Sequence, residues 1–212
     1  MEAEAILVLG SLQYRLGVLD EATLHLQKAV HLYETVTDYI GQVEANGELG
    51  LCYLRQGHLE QALSVLETAH QLMQDKNLIG HQSIPCLIGL TAAYLAAAEA
   101  DQSQQGAWLK KAARTCRAAL RQSRYCRPWL PHALRLQGQY EWLKGKPQPA
   151  QRHWQESLEV AAEMGARYEV GMTHLEMGRY LRARVHLEQA RDIFAALEAK
   201  WDWAQAQSLL EQ

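Results

Sequence analysis

The stretch Gly50-Leu-Cys-Tyr-Leu-Arg-Gln-Gly57-His-Leu-Glu-Gln-Ala62-Leu-Ser-Val-Leu66-Glu-Thr-Ala69 carries a pattern that recurs along the chain. A glycine is followed by a second seven positions on, by an alanine five later, and then by a bulky and a small residue at helical spacing. The same skeleton reads Gly10, Gly17, Ala22, Leu26, Ala29, and again Gly138, Gly145, Ala150, Trp154, Ser157. A looser copy runs Gly171, Gly178, Ala190, Phe194. Self-similarity at a period of roughly 33 to 47 residues marks a stack of helical hairpins, an architecture whose usual output is a binding surface.

Each element of the skeleton has a mechanical reading. A mid-helix glycine costs up to ~1 kcal/mol against alanine but lets a neighbouring helix come close. The second glycine is expected to close helix A in the left-handed conformation. The alanine early in helix B suits a close crossing on helix A, and the large residue four later is expected to fill space between hairpins. The spacing predicts A helices near 2–16, 39–56, 82–98, 129–144 and 166–180, with B helices near 20–36, 59–75, 105–124, 148–163 and 184–198. Residues 201–210 then read as an unpartnered capping helix. Pro128, Pro131, Pro147 and Pro149 fall at predicted helix starts, where a missing backbone donor costs little.

The third repeat is irregular. Thr91 stands at the first glycine and Ala98 at the second, Tyr94 aligns with Tyr53, and Ala112, Cys116 and Ala119 arrive about nine residues late, after Asp101-Gln-Ser-Gln-Gln-Gly106. That insertion is expected to form a loop.

The chain of 212 residues, 48% apolar and 21% charged with one phenylalanine, has the make-up of a globular Ala/Leu/Gln-rich helical protein rather than a disordered one. Cys52, Cys86, Cys116 and Cys126 form no Cys-x-x-Cys pair and have no histidines at zinc-finger spacing, so buried free thiols in a reducing compartment are expected. The acidic start Met1-Glu-Ala-Glu-Ala lacks the positive region of a signal peptide, which makes the cytoplasm the expected location. The apolar run from Ile84 to Ala98 is shorter than the about 20 residues of a membrane span and reads as a buried helix.

On the residues quoted above, the chain resembles the tetratricopeptide repeat family. Its longer spacings, such as the 40 residues from Gly10 to Gly50, are similar to the sensor arms of bacterial signal-transduction ATPases and transcription activators. The resemblance implies an all-α, right-handed superhelical solenoid of about five antiparallel hairpins plus a C-terminal cap, forming one domain over 1–212. The repeats fall at about 3–38, 39–78, 82–127, 129–164 and 165–199, with the cap at 200–212. It further implies a concave groove lined by helix A positions. Carried over by alignment, these include Tyr14, Arg15, Glu44, Leu51, Leu54, Arg55, Arg135, Gln139, Trp142, Tyr168 and Met172. The chaperone-binding branch of the family grips a peptide carboxylate with lysine and asparagine. Those positions here hold Leu7 and Ser11, or Gly47 and Leu51, so the groove is expected to suit an amphipathic helix or extended apolar peptide instead.

Charge is unevenly spread beneath a net of −3: residues 1–101 hold 13 acids and 4 bases, whereas 102–140 hold 8 bases and no acid. Lys110, Arg114, Arg117, Arg121 and Arg124 recur at helical spacing opposite Leu109, Ala112, Ala113, Cys116, Ala119 and Leu120. This stripe reads either as a solvated face paired with neighbouring acids or as a dock for an acidic protein surface, with nucleic acid the less favoured partner. Lys144-Gly145-Lys146-Pro147 lacks the Ser or Thr and the feeding strand of a phosphate loop. Nine histidines form no His-Glu-x-x-His or other tight cluster, and no nucleophile elbow occurs.

The reading is therefore a non-catalytic interaction module, without metal or cofactor and without a membrane, that binds a protein or peptide partner within a regulatory or signalling protein. The alternatives are a small-molecule-sensing arm of a bacterial regulator and a self-assembly element forming homo-oligomers.

Overall fold

The computed structural model describes residues 1–212 as eleven α-helices with no strand. They are α1 (Glu2–Leu16), α2 (Leu19–Thr35), α3 (Tyr39–Arg55), α4 (Leu59–Asp75), α5 (Ile84–Ala100), α6 (Gln105–Ser123), α7 (Leu130–Leu143), α8 (Pro147–Glu163), α9 (Arg167–Leu181), α10 (Arg184–Ala196) and α11 (Lys200–Leu210). Their bounds follow the repeat pattern to within a few residues. The helices form an all-α series of hairpins grouped in two compact units, Met1–Cys126 and Arg127–Gln212.

In the N-terminal unit α1/α2, α3/α4 and α5/α6 are hairpins, and α3 also packs against α2 and α5. Asp38 caps α3, its carboxylate accepting from the backbone N–H groups of Ile40 and Gly41. The alanines of the skeleton, Ala22 and Ala62, are fully buried at the crossings. The bulky residue fills space between hairpins as expected, and it also seats on the first glycine of its own hairpin. A Cβ added at Gly50 would lie 2.3 Å from Leu66 Cγ, and one at Gly10 would lie 2.8 Å from Leu26 Cγ. The glycine is thus a socket for the large residue of its own hairpin, because only a side-chain-free helix surface lets that residue lie flat. Gly89 of α5 touches the same Leu66, so one leucine ties two hairpins together.

The insertion in the third repeat forms the expected loop at Asp101–Gln104, shorter than Asp101–Gly106 because both flanking helices extend into the added chain. Relative to the second hairpin, α5 runs four residues further past Thr91 and α6 begins four residues earlier before Ala112, while the linker Asp101–Gln104 is one residue longer than Gln56–His58. Two extra helical turns absorb the added chain, so its backbone hydrogen bonds are made inside helices. The short linker is closed by Asp101, whose carboxylate accepts from Ser103 and Gln104. The added turn of α6 places Trp108 against Tyr94, with ring centroids 6.0 Å apart. Helix α5 is apolar enough to cross a bilayer, yet 78% of that window is buried within the protein, which makes it the core helix of its unit.

In the C-terminal unit α7/α8 and α9/α10 are hairpins and α11 packs on α10. Gly138 faces Trp154, whose indole Nε1 would lie 2.3 Å from an added Cβ. Gly17, Gly57 and Gly145 take left-handed φ values of 77°, 80° and 71° at their helix ends. Gly178 does not. It stays inside α9 against Leu187, and Arg182 with φ 51° provides the left-handed end. Helix α9 therefore continues to Leu181, past the glycine expected to close it. Cys52, Cys86 and Cys116 are buried free thiols and Cys126 is half-buried; burial pushes the Cys86 thiol up to about 12.

Candidate functional site

In the N-terminal unit, several groove positions meet on the face shared by α1 and α3. The Arg55 guanidinium lies 4.9 Å from the Tyr14 ring centroid and donates to the Tyr14 carbonyl. One turn apart on α3 sit Glu44 and Glu48. Glu44 is half-buried and its carboxyl is raised above the ordinary carboxylate range by desolvation first, then by Glu4 and Asp38, against the lowering field of His81. Glu48 is buried and pushed up to about 7, with desolvation the leading cause, the Glu44 charge adding to it, and Arg15 and a hydrogen bond from Ser11 opposing it. Both carboxyls lack an ion-pair partner within the unit.

Glu48 is absent from the groove positions that alignment supplied. Its i+4 relation to Glu44 was the one available signal, since that spacing places both on one helix face. Leu51, by contrast, is 4% exposed and belongs to the core of the unit, while Leu54 is half-buried.

The groove positions of the C-terminal unit are mostly structural ties. Arg135 is 4% exposed; its guanidinium lies 2.7 Å from Glu169 Oε2 and 3.7 Å from Glu176 Oε2, joining α7 to α9. Trp154 Nε1 donates to Glu176 Oε1 and to the Arg135 carbonyl, each at 3.2 Å. Arg135 is thus consumed internally, and removing one member would leave a buried charge uncompensated. Gln139 is buried as well. Trp142 packs with Trp154 and Tyr180, its ring centroid 5.9 Å from each. Tyr168 and Met172 instead pack on the cluster of Ala190, Phe194, Ala199 and Ala206, and the Tyr168 hydroxyl donates to Asp202 at 3.2 Å. Arg135 and Gln139 therefore differ from the expected open groove lining for a physical reason: the A helices pack closely enough to bury them.

The basic stripe lies where its periodicity placed it. Lys110, Arg114, Arg117 and Arg121 on α6 and Arg124 at its C-cap are all exposed, and none forms an ion pair. Lys111, beside the stripe, is the paired residue. Its Nζ lies 3.1 Å from Glu67 Oε1 and 4.7 Å from the centroid of the Trp108 ring. The structure also brings His174 and His186 together across α9 and α10, their Nδ1 atoms 2.9 Å apart, and burial followed by the His186 charge lowers His174 to about 4. Twelve residues separate them in sequence, a distance at which only the hairpin reveals the pairing.

No protein-family model matches the chain, and no curated protein matches it. Solved structures do. A Rap protein complexed with competence and sporulation factor has a TM-score of 0.66 at 15% identity, covering 94% of this chain and 55% of that one. A tetratricopeptide repeat protein of Thermus thermophilus gives 0.61 at 21% identity over 97% of this chain and 98% of that one. A signal-transduction ATPase of Pyrococcus horikoshii with a tetratricopeptide repeat sensor gives 0.58 at 16% identity over 98% of this chain. The chain spans about half of the Rap protein and 32% of the ATPase. Its fold is that of the tetratricopeptide repeat proteins.

Proposed function

We propose that this chain is a non-catalytic interaction module whose α1–α3 face binds a peptide or helix carrying a basic side chain. The observation that carries the reading is the pair Glu44 and Glu48, two desolvated carboxyls one turn apart with no cation pairing them from within. A lysine or arginine of a partner, reaching that pair, would hold both carboxyls ionised, while the Tyr14 ring clamped by Arg55 offers an apolar platform beside it. Binding would then release protons near pH 7, since Glu48 enters the complex from a partly protonated state. Among the similar structures, a Rap protein complexed with a factor and an ATPase with a repeat sensor support a receiving rather than a reacting role.

The test is selection of a random peptide library displayed on phage against the immobilised protein. Enriched peptides are expected to share a lysine or arginine at a fixed position, and Glu44→Gln is expected to weaken them at least roughly tenfold. Enrichment without a basic residue, or binding indifferent to Glu44→Gln and Tyr14→Ala, would sink the assignment.

A further inference from the structure

Helix α1 has an inner side that is buried and an outer side that nothing covers. Leu7 and Gly10 face inward, Gly10 against Leu26. On the other side Val8, Leu9, Leu12 and Leu16 are 62%, 41%, 53% and 50% exposed. At about 100° per residue these four fall within one continuous strip along the helix. Single exposed leucines are ordinary, but four in a row make an apolar strip on the order of 400 Å², the size of the largest patch on a typical monomer, which is often functional. Helix α3, the corresponding helix of the next hairpin, has α2, α4 and α5 packed around it.

We infer that the strip is the contact surface for a second copy of this chain, with the two α1 helices packed antiparallel about a two-fold axis near Gly10. Charge selects this occupant and this direction. Glu4 and Arg15 lie on the same edge of the strip, one near each end of the helix; both are exposed and neither makes an ion pair, although Arg15 also tempers the buried Glu48. An antiparallel pair centred there sets Glu4 opposite Arg15 of the partner subunit, and the reverse pair follows by symmetry. The same register stacks Val8 on Leu12 of the partner subunit. In a parallel pair the two edges would fall on opposite sides of the seam, leaving Glu4 and Arg15 with no opposing charge. Doubled, and with its charged edges, the strip comes to on the order of 1,000 Å², the low end of specific interfaces and the size of a weak, dissociable one.

Sedimentation equilibrium of the full chain from about 1 to 500 μM tests this, with the mass expected to rise from 24.0 kDa toward twice that value. Leu12→Glu is expected to raise the dissociation constant roughly 30-fold or more, with circular dichroism showing an unchanged helix content. Glu4→Arg and Arg15→Glu should each weaken the dimer about tenfold, and the double reversal should restore it to within about threefold. A monomer mass at every concentration would overturn the proposal and assign the strip to another segment or another protein. A dimer indifferent to Leu12→Glu would overturn it as well, and failure of the double reversal to restore association would overturn the antiparallel pairing.

Discussion

The second and third hairpins fill the same repeat position with opposite assignments of size. In the second, Gly50 on α3 is the socket and Leu66 on α4 the plug. In the third, Thr91 stands at the glycine position and Cys116 at the leucine position of the repeat, with the larger residue on the A helix and Thr91 meeting α6 at Thr115. The Thr91 hydroxyl is fully buried and donates to Thr115 at 2.9 Å, which satisfies the polar atom that the exchange introduces. A repeat is therefore defined less by its residue types than by the summed volume at each crossing, because interiors are packed to near crystal density.

The largest expected effect comes from removing the plug. Leu66→Ala should destabilise by about 3 kcal/mol in urea unfolding, since Leu66 is fully buried and shared by Gly50 and Gly89, whereas Cys116→Ala should cost only about 1 kcal/mol. Equal losses at the two sites would erase the distinction drawn between the hairpins.

The hairpins differ next in pH response, because the second carries the buried Glu48 and the third a neutral threonine pair. With a folded value of about 7 against an ordinary unfolded one, Glu48 contributes stability that is complete below pH ~4.5 and is lost as the pH rises through 7. Glu48→Gln should flatten that part of the profile and stabilise the protein at pH 8 by roughly 2 kcal/mol, read from melts at pH 5 and pH 8. An unchanged difference between the two pH values would remove the buried carboxyl from the account.

A smaller effect sharpens the volume rule directly. Cys116→Leu should cost about 1.5 kcal/mol by overpacking against Thr91, and Thr91→Gly in the same chain should recover part of that loss even though each change alone destabilises. Simple additivity in the double-mutant cycle would show that the two positions do not share one space. Least of all, neutralising Lys110, Arg114, Arg117, Arg121 and Arg124 together should shift stability by less than about 0.5 kcal/mol, since none is ion-paired. A large loss there would reveal a structural role for the stripe.

The helices were legible because their signals are local. Glycines, alanines and prolines at fixed offsets report backbone requirements that each repeat meets on its own, and the exposed stripe of α6 follows from periodicity alone. Two features escaped because they are not local. Gly178 matched the stop signal, but Leu187 needed its empty surface, so Arg182 took the left-handed position. Arg135 and Gln139 occupy groove positions by alignment and are buried in fact, because Glu169 and Glu176 on α9 lie within reach of Arg135.

Sequence alone settled the number of hairpins, their order and the residues at each crossing, since these depend on chain-local geometry and on side-chain size. Tertiary structure alone decided which charges are used up and which stay available. Arg135 is neutralised by residues 34 and 41 positions away, His174 meets His186, and Glu48 is stranded beside Glu44 with Arg15 and a Ser11 hydrogen bond to temper it. Burial and pairing depend on distances between helices, which periodicity within a helix does not encode.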